Sequence, residues 1–474
     1  MKILLTGANG YIGMRLLPLL LEQGHEIVCA VRSANRLSVD EETREKLTIV
    51  EIDFLDEPNA DILPKNIDAA YYLIHSMSAS TSDFDEKEEI SAKNFNTYLA
   101  ETNCKQVIYL GGIVNEDNLS KHLWSRKNVE NILYQGTYKL TVLRAAIIVG
   151  SGSASFEIIR DLCEKLPVMI TPKWVKTRCQ PIAIRDVLNY LTGVLGNEKC
   201  YNESFDVGGP DILTYKQMMQ GYSKTRGLKL FILDVPVMSP KLSSYWLYFV
   251  TSTSYKLALN LVDSMRIEVI TKDTRLEKIL DIKPISYKEA INLAFKKIKQ
   301  NQVVSSWKDS MVSGRFRNDL KKYVEIPEKG CLKDAQKVKL KDTNRALDNI
   351  WSIGGTKGWY YGSWLWKLRG YIDKLFGGVG LRRGRTHPTK IYEGDSLDFW
   401  RVILADKKQK RLLLFAEMRV PGEAWLEFEI DKNNVLHQTA TFRPRGLWGR
   451  LYWYAMLPFH YFIFNGMINK IATS

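Results

Sequence analysis

Short apolar runs separated by polar stretches of helical period fill the first 150 residues. Lys2–Thr6, Glu26–Val31, Leu47–Ile52, Ala69–His75, Gln106–Leu110 and Leu140–Val149 predict six strands. They are apolar almost throughout, as parallel strands buried on both faces should be. Helical patterns lie between, clearest at Tyr11–Gln23, Asp85–Thr102 and Leu119–Gln135, and Gly24 suits a helix stop. Alternating strands and helices predict β-α-β units in a doubly wound parallel α/β sheet over residues 1–150.

Residues 151–300 mix helices with short strands and read as a smaller part of the same unit. Within them Ser239–Val262 is aromatic, and uncharged over Leu242–Tyr255, which predicts a buried helix or the wall of an apolar pocket. Residues 301–345 are lysine-dense and read as a polar connection. Beyond residue 346 the composition changes: eight of the twelve tryptophans lie in 351–474, which marks a separate domain. There Asp398–Ala405 and Arg411–Val420 predict a hairpin. Ala424–Ile430 alternates, Asp431–Asn434 is a turn, and Val435–Phe442 is the next strand. A long apolar helix follows, so 346–474 reads as an α+β domain of antiparallel sheet plus C-terminal helix. Nineteen uncharged residues separate Arg450 from Lys470, but Pro458, His460, Asn465 and Gly466 make them a poor membrane span. A core helix across a curved sheet is the primary reading, with a membrane-surface contact as the alternative.

The chain has 474 residues, 45% hydrophobic and 25% charged, which excludes a wholly disordered, collagen-like or multi-span membrane protein. Its net charge of +14 is uneven. Residues 1–150 carry 15 basic and 21 acidic side chains, a net of −6, whereas residues 301–474 carry 30 and 17, a net of +13. The basic later part reads first as the basic surface of a soluble protein, and otherwise as attracting an anionic membrane surface, a nucleic acid or an acidic ligand. No module that reads nucleic acid is recognisable, so no nucleic-acid partner is expected. The six cysteines form no C-x-x-C pair and suggest reduced thiols. The N-terminus lacks the pattern of a signal peptide. A cytoplasmic protein is expected, with peripheral contact to the inner face of the membrane through the C-terminal domain as the alternative. No H-x-x-x-H occurs, so no metal site is expected. Gly150–Ala154 resembles a G-x-S-x-G string only loosely, and an esterase reading fails because Gly152 holds the nucleophile position. The glycine-rich basic run 377–385 lacks the Lys-Ser/Thr of a phosphate loop.

The strongest chemical signal is Thr6-Gly7-Ala8-Asn9-Gly10-Tyr11-Ile12-Gly13, directly after a strand and opening a helix. Gly7 permits a tight turn, Gly10 lets backbone approach a pyrophosphate, and Gly13 lets the helix pack closely. The helix N-terminus offers free N–H groups to phosphate. This predicts a nicotinamide dinucleotide as ligand. From Ile27 to Arg36 there is no acid to hold a ribose 2′-hydroxyl; Arg32, Ser33 and Arg36 stand there instead. A guanidinium suits a 2′-phosphate, so NADP(H) is expected over NAD(H). His75 ends the fourth strand. It is a cofactor or substrate contact, or equally a satisfied strand-end histidine.

These motifs, with Asp53-Phe54-Leu55, Asn94, Arg144, Pro181–Val187 and Phe205–Pro210, resemble the short-chain dehydrogenase/reductase superfamily over residues 1–300, in particular its extended and atypical, NmrA-like branches. The resemblance implies a Rossmann-type sheet, a substrate-binding part in 151–300, and cofactor contacts at Asp53, Phe54 and Asn94. It also exposes a departure. His122 and Arg126 stand where the family's Tyr-x-x-x-Lys is expected, and the fifth strand ends Leu110-Gly111-Gly112, without the usual Ser. The C-terminal domain resembles a helix-grip, START-like fold of uncharacterised function, in phrases such as VPGEAWLEFEI and TFRPRGLWGRLYWYAMLPFH.

Two functions follow. One is an NADP(H)-dependent oxidoreductase on an apolar or lipid-like molecule, with His122 moving a proton and Arg126 holding the nicotinamide ribose. The other is a non-catalytic NADP(H)-binding sensor or scaffold.

Overall fold

The computed structural model describes residues 1–34, 37, 39–74, 84–114, 121–171, 173–234, 262, 264–299, 331–354, 357–375, 378–380 and 391–473. The aromatic stretch read at Ser239–Val262 lies outside them save for Val262, as do most of the 301–345 connection and most of the 377–385 run. The chain divides into two units, Met1–Met311 and Val312–Ser474.

Seven strands of the first unit form one sheet: β1 (Lys2–Thr6), β2 (Glu26–Val31), β3 (Leu47–Glu51), β4 (Ala69–Tyr72), β5 (Gln106–Gly112), β6 (Lys139–Ala145) and β7 (Glu203–Val207). Their order is β7-β6-β5-β4-β1-β2-β3, and every neighbouring pair is parallel. The chain starts mid-sheet, winds out to β3, crosses back to β4 and winds the other way. That reversal leaves a crevice beyond the carboxyl ends of β1 and β4, where such sheets bind ligands.

The longer helices of this unit are α1 (Gly13–Glu22), α2 (Phe84–Ala100), α3 (Lys121–Leu133), α4 (Ala154–Lys165), α5 (Ile184–Gly193), α6 (Tyr215–Arg226) and α7 (Tyr287–Lys299). On one face of the sheet Ile3, Leu5, Cys29 and Tyr71 pack against Leu16 and Leu20 of α1 and Leu191 of α5. On the other, Leu4, Val28 and Tyr72 pack against Phe95 and Leu99 of α2 and Leu133 of α3. Alternate residues of one strand therefore enter opposite cores, which is why the strands read as unbroken apolar runs. Leu4 and Leu5 are both fully buried, and each such side chain contributes about 2 kcal/mol.

The predicted fourth strand stops at Tyr72, short of His75. The predicted sixth splits: β6 ends at Ala145, and Ile148–Val149 pairs instead with Ile182–Ala183. There the chain leaves the main sheet to begin a second core, where Phe156 and Leu162 of α4 meet Met218 and Tyr222 of α6 and Ile291 of α7.

The second unit is a six-stranded sheet of β8 (Leu332–Lys339), β9 (Ser396–Leu397), β10 (Trp400–Asp406), β11 (Arg411–Ala416), β12 (Gly422–Ile430) and β13 (Val435–Pro444). The order β8-β13-β12-β11-β10-β9 is antiparallel throughout. Helices α8 (Thr343–Ile350), α9 (Ser363–Leu375) and α10 (Gly446–Thr473) accompany it. The alternation at Ala424–Ile430 has its expected effect. Leu426, Phe428 and Ile430 share a core with Phe464, Met467 and Ile471 of α10, while Trp425 packs on the other side with Ile403 and Leu413.

One stretch read as polar connection is the strand β8. Leu332, Asp334, Gln336 and Val338 are half-buried, and Lys333, Lys337 and Lys339 are exposed. Its lysines occupy the solvent face of an edge strand, where they discourage pairing with other chains, and that charge masked the period of two. Among the described residues, no helix is long and apolar enough to cross a membrane.

Candidate functional site

The loop after β1 is built around its glycines. Gly7 has φ +64°, and a β-carbon on it would stand 2.7 Å from the Leu73 carbonyl oxygen just beyond β4. Left-handed backbone and close approach both require glycine there. The Gly10 N–H donates to the Gly7 carbonyl at 2.8 Å and closes the turn. A β-carbon on Gly13 would lie 2.3 Å from that same oxygen and 2.8 Å from the Ala8 Cα, so glycine lets α1 start directly on the loop. On Gly10 a β-carbon would meet only the Gly7 oxygen, at 3.0 Å; that side of the loop is otherwise open among the described residues. Asn9, Tyr11 and Ile12 are half-buried beside it. The cap residue of α1 is Ile12, whose side chain takes up no first-turn N–H group. The positive end of the helix dipole therefore faces the loop without a side-chain cap.

Three side chains hold this loop in place. The buried Thr6 hydroxyl donates to the Tyr71 carbonyl (2.9 Å) and accepts the Leu73 N–H (3.1 Å), tying β1 to β4. Arg15 donates to the carbonyls of Tyr11 (2.9 Å) and Ser151 (2.8 Å), and its guanidinium lies 4.0 Å above the Tyr11 ring. Burial pushes the Tyr11 phenol up to about 12, against the opposing pull of Arg15, so Tyr11 is a neutral anchor at ordinary pH.

Arg32 and Ser33 are half-buried just past β2. Beside them the Glu51 carboxylate, at the end of β3, accepts the Ala34 N–H at 2.6 Å. Asp53 accepts the Leu55 N–H at 3.2 Å and turns the next loop. Asn94 of α2 donates to the carbonyls of Phe54 and Asp56, both at 2.9 Å. The Phe54 ring itself points into the core, edge-on to Tyr98 at 5.4 Å. Asp53 and Asn94 thus shape the loop, while Phe54 anchors it. Arg36 and His75 lie outside the described residues.

Helix α3 carries His122 and Arg126 one turn apart; the His122 side chain is not among those described. Arg126 Nη1 reaches the Leu110 carbonyl, near the end of β5, at 3.5 Å. The Tyr109 hydroxyl donates to the Arg126 carbonyl at 3.2 Å. Burial disfavours the Arg126 charge, but Tyr109 and Glu88 outweigh it and hold the proton more tightly than usual. Glu88 in turn accepts from the Ser125 hydroxyl at 2.9 Å. On the same helix Glu130, almost wholly buried, accepts two bonds from Arg144, at 2.6 and 3.0 Å. Sequence reading singled out Arg126 and Arg144 but missed Arg15, Glu51, Glu88, Tyr109 and Glu130. Of these only Arg15 had a local signal, four residues after Tyr11 on one helix face.

Residues 7–149 match a family model described as NAD(P)H-binding. Residues 328–467 match another, described as a protein of unknown function, DUF2867. Cinnamoyl-CoA reductase 1 of Petunia hybrida is 26% identical over 239 residues, which cover 45% of this chain and 68% of that protein. A nucleoside-diphosphate-sugar epimerase from Staphylococcus aureus is 15% identical, with a TM-score of 0.50 over 61% of this chain and 99% of that one. A UDP-glucuronic acid 4-epimerase from Bacillus cereus, solved with UDP-glucuronic acid and NAD, gives 15% identity and a TM-score of 0.48 over 63% and 99%. The likeness to the Staphylococcus structure is one of fold. The glycine loop thus sits at the reversal of a parallel sheet of Rossmann type, within the residues that match the NAD(P)H-binding model.

Proposed function

We propose that this chain is an NADP(H)-dependent oxidoreductase acting on an apolar or lipid-like substrate. The observation that carries the reading is the loop at the sheet's reversal: Gly7 left-handed, Gly13 tucked under it, and α1 starting without a side-chain cap. These residues fit a dinucleotide. The open backbone at Gly10 and the positive end of α1, which no side chain caps, suit its pyrophosphate. Arg32 and Ser33, with no acid from Ile27 to Arg36, favour a 2′-phosphate. Asp53 and Asn94 fix the loop beyond β3 on the adenine side. When bound, the nicotinamide supplies or accepts a hydride.

In this reading Arg126, held charged near the end of β5, steadies the nicotinamide ribose. His122, one helical turn earlier, moves the proton that accompanies the hydride. The relative from Petunia hybrida is a reductase by name, which agrees in reaction type. The second unit reads as a helix-grip, START-like ligand domain, because an antiparallel sheet packs against one long C-terminal helix. The six cysteines are free thiols, which suits a reducing, cytoplasmic compartment.

A second reading rests on the end of β5, Gly111-Gly112, where no serine hydroxyl stands. In that reading the chain binds NADP(H) as a sensor or scaffold without turnover. NADPH oxidation with a panel of quinones and enones separates the two. The oxidoreductase reading predicts turnover that drops at least about 100-fold in His122→Ala while NADPH affinity holds. NADPH binding without turnover across the panel would establish the sensor instead.

A further inference from the structure

Helices α9 and α10 carry an apolar surface facing away from their own core. Among the described residues, all thirteen exposed large hydrophobic side chains of the second unit lie on these two helices. On α9 they are spaced for a single face. Trp364, Leu368, Tyr371 and Leu375 recur at i, i+4, i+7 and i+11, and are 66%, 49%, 63% and 70% exposed. The opposite face holds Trp366, stacked on Trp359 and Phe399. On α10, Leu447, Leu451, Tyr454 and Tyr461 form a second exposed stripe, while Trp453, Phe464, Met467 and Ile471 are buried. An ordinary amphipathic helix turns charges outward; these turn aromatics and leucines outward. The two helices approach near the start of α9, where the Tyr361 ring, just before α9, packs on Phe462 of α10 at 5.1 Å. Clustered exposed apolar side chains of this kind mark a binding surface.

Charge identifies the occupant. After Asp431 the sequence contains no acidic residue, but five basic ones: Lys432, Arg443, Arg445, Arg450 and Lys470. Arg445 and Arg450 are exposed around the start of α10. The one acid on α9, Asp373, is buried and turned inward, accepting the N–H groups of Gly380 (2.8 Å) and Arg419 (2.7 Å). Glu423, next to the start of α10, is paired with Arg443 at 3.6 Å, so the exposed charges of Arg445 and Arg450 leave a net cationic edge. An apolar, Trp- and Tyr-rich face so edged complements the interfacial zone of an anionic bilayer. It does not complement a mixed-charge protein rim. Spanning is ruled out by packing. Phe464, Met467, Ile468 and Ile471 belong to the unit's core. The exposed part of α10 is about 24 Å long, against the roughly 30 Å of a hydrocarbon core.

We propose that α9 and α10 form one membrane-docking face that lays the second unit on an anionic lipid surface, with the aromatic stripes in the headgroup zone. This inference stands apart from the dinucleotide site. The test is flotation of the full chain with vesicles of phosphatidylcholine alone and with about one-third phosphatidylserine. The protein is expected to float with the anionic vesicles, to float less with the neutral ones, and to be released by salt. Leu447→Ser/Leu451→Ser/Tyr454→Ser and, separately, Arg445→Glu/Arg450→Glu each lower partitioning at least about tenfold. All five positions are exposed, and an unchanged melting temperature verifies that each variant folds. Absence of flotation by the wild-type chain overturns the proposal. So does flotation that both folded variants retain. A wild-type dimer that the serine variant dissolves, with no flotation by either, assigns the face to a second copy instead.

Discussion

Gly13 sits so close to Gly7 that a β-carbon on Gly13 would stand 2.3 Å from the Gly7 carbonyl oxygen. The first turn of α1 and the turn that leaves β1 therefore share one space, and the loop cannot shift without moving the helix.

Gly13→Ala tests that coupling. The added methyl meets backbone rather than the end of a flexible side chain, so the loop must move. The variant should lose about 1–3 kcal/mol of stability and bind NADPH at least tenfold more weakly, a cost comparable to 1.4 kcal/mol. Denaturant unfolding and titration read the two effects. Wild-type affinity in a folded Gly13→Ala would show that the loop does not hold the nucleotide.

Arg32→Glu tests cofactor choice. Replacing a guanidinium with a carboxylate removes a charge-assisted bond worth about 1.5–3 kcal/mol and adds repulsion toward a 2′-phosphate. NADPH affinity should fall at least about tenfold, with NADH affinity little changed. Parallel losses for both nucleotides would place Arg32 outside 2′-phosphate recognition.

The Glu130–Arg144 pair makes a prediction about stability and pH. Glu130 is nearly buried, with Arg144 and Lys127 both at 2.6 Å. Burial alone would raise its carboxyl, but bonds from Arg144 and Lys127 outweigh burial and hold it below the ordinary range. Arg144→Met should cost about 3 kcal/mol near neutral pH, because a buried carboxylate loses its main partner. A depressed carboxyl stabilises the fold above its unfolded value of about 4.3, and the contribution is lost as pH falls through the lower folded value. The gap between wild type and variant should therefore narrow below about pH 4. Urea melts across pH check this; a constant gap would mean the pair is not ionised as described.

The thiols give a simple chemical check. Cys29, Cys104, Cys163, Cys179 and Cys200 are buried, and only Cys331 is partly exposed. Burial pushes the first four thiols up to about 12 and Cys200 to about 11. Thiolate is scarce at such sites. An aromatic disulfide reagent should titrate one thiol rapidly in the native chain and all six after denaturation. Rapid reaction of several would show that the cores open readily.

Much of the first unit was legible in the sequence because its strands are buried on both faces and its turn needs glycine. The runs from Lys2 and Glu26, and the spacing of Gly7, Gly10 and Gly13, express those constraints locally. What stayed illegible depends on distant partners. Glu88 and Ser125 meet across two helices. Phe54 lies in the core because α2 presents Phe95 and Tyr98 to it. The strand Leu332–Lys339 hid behind its lysines, which an edge strand tolerates on its solvent face. The 19-residue uncharged stretch announced the last helix but not its extent, 28 residues from Gly446 to Thr473, and its two faces appeared only when the sheet showed which side it covers.

The central claim is that the glycine loop and Arg32 bind NADP(H), and calorimetric titration of the full chain with NADPH and, separately, NADH addresses it most directly. Tight NADPH binding is expected, with NADH binding at least about tenfold weaker, matching the loss of a charge-assisted contact. Failure of both nucleotides to bind would contradict the account outright, and equal affinity for the two would contradict its assignment of NADP(H).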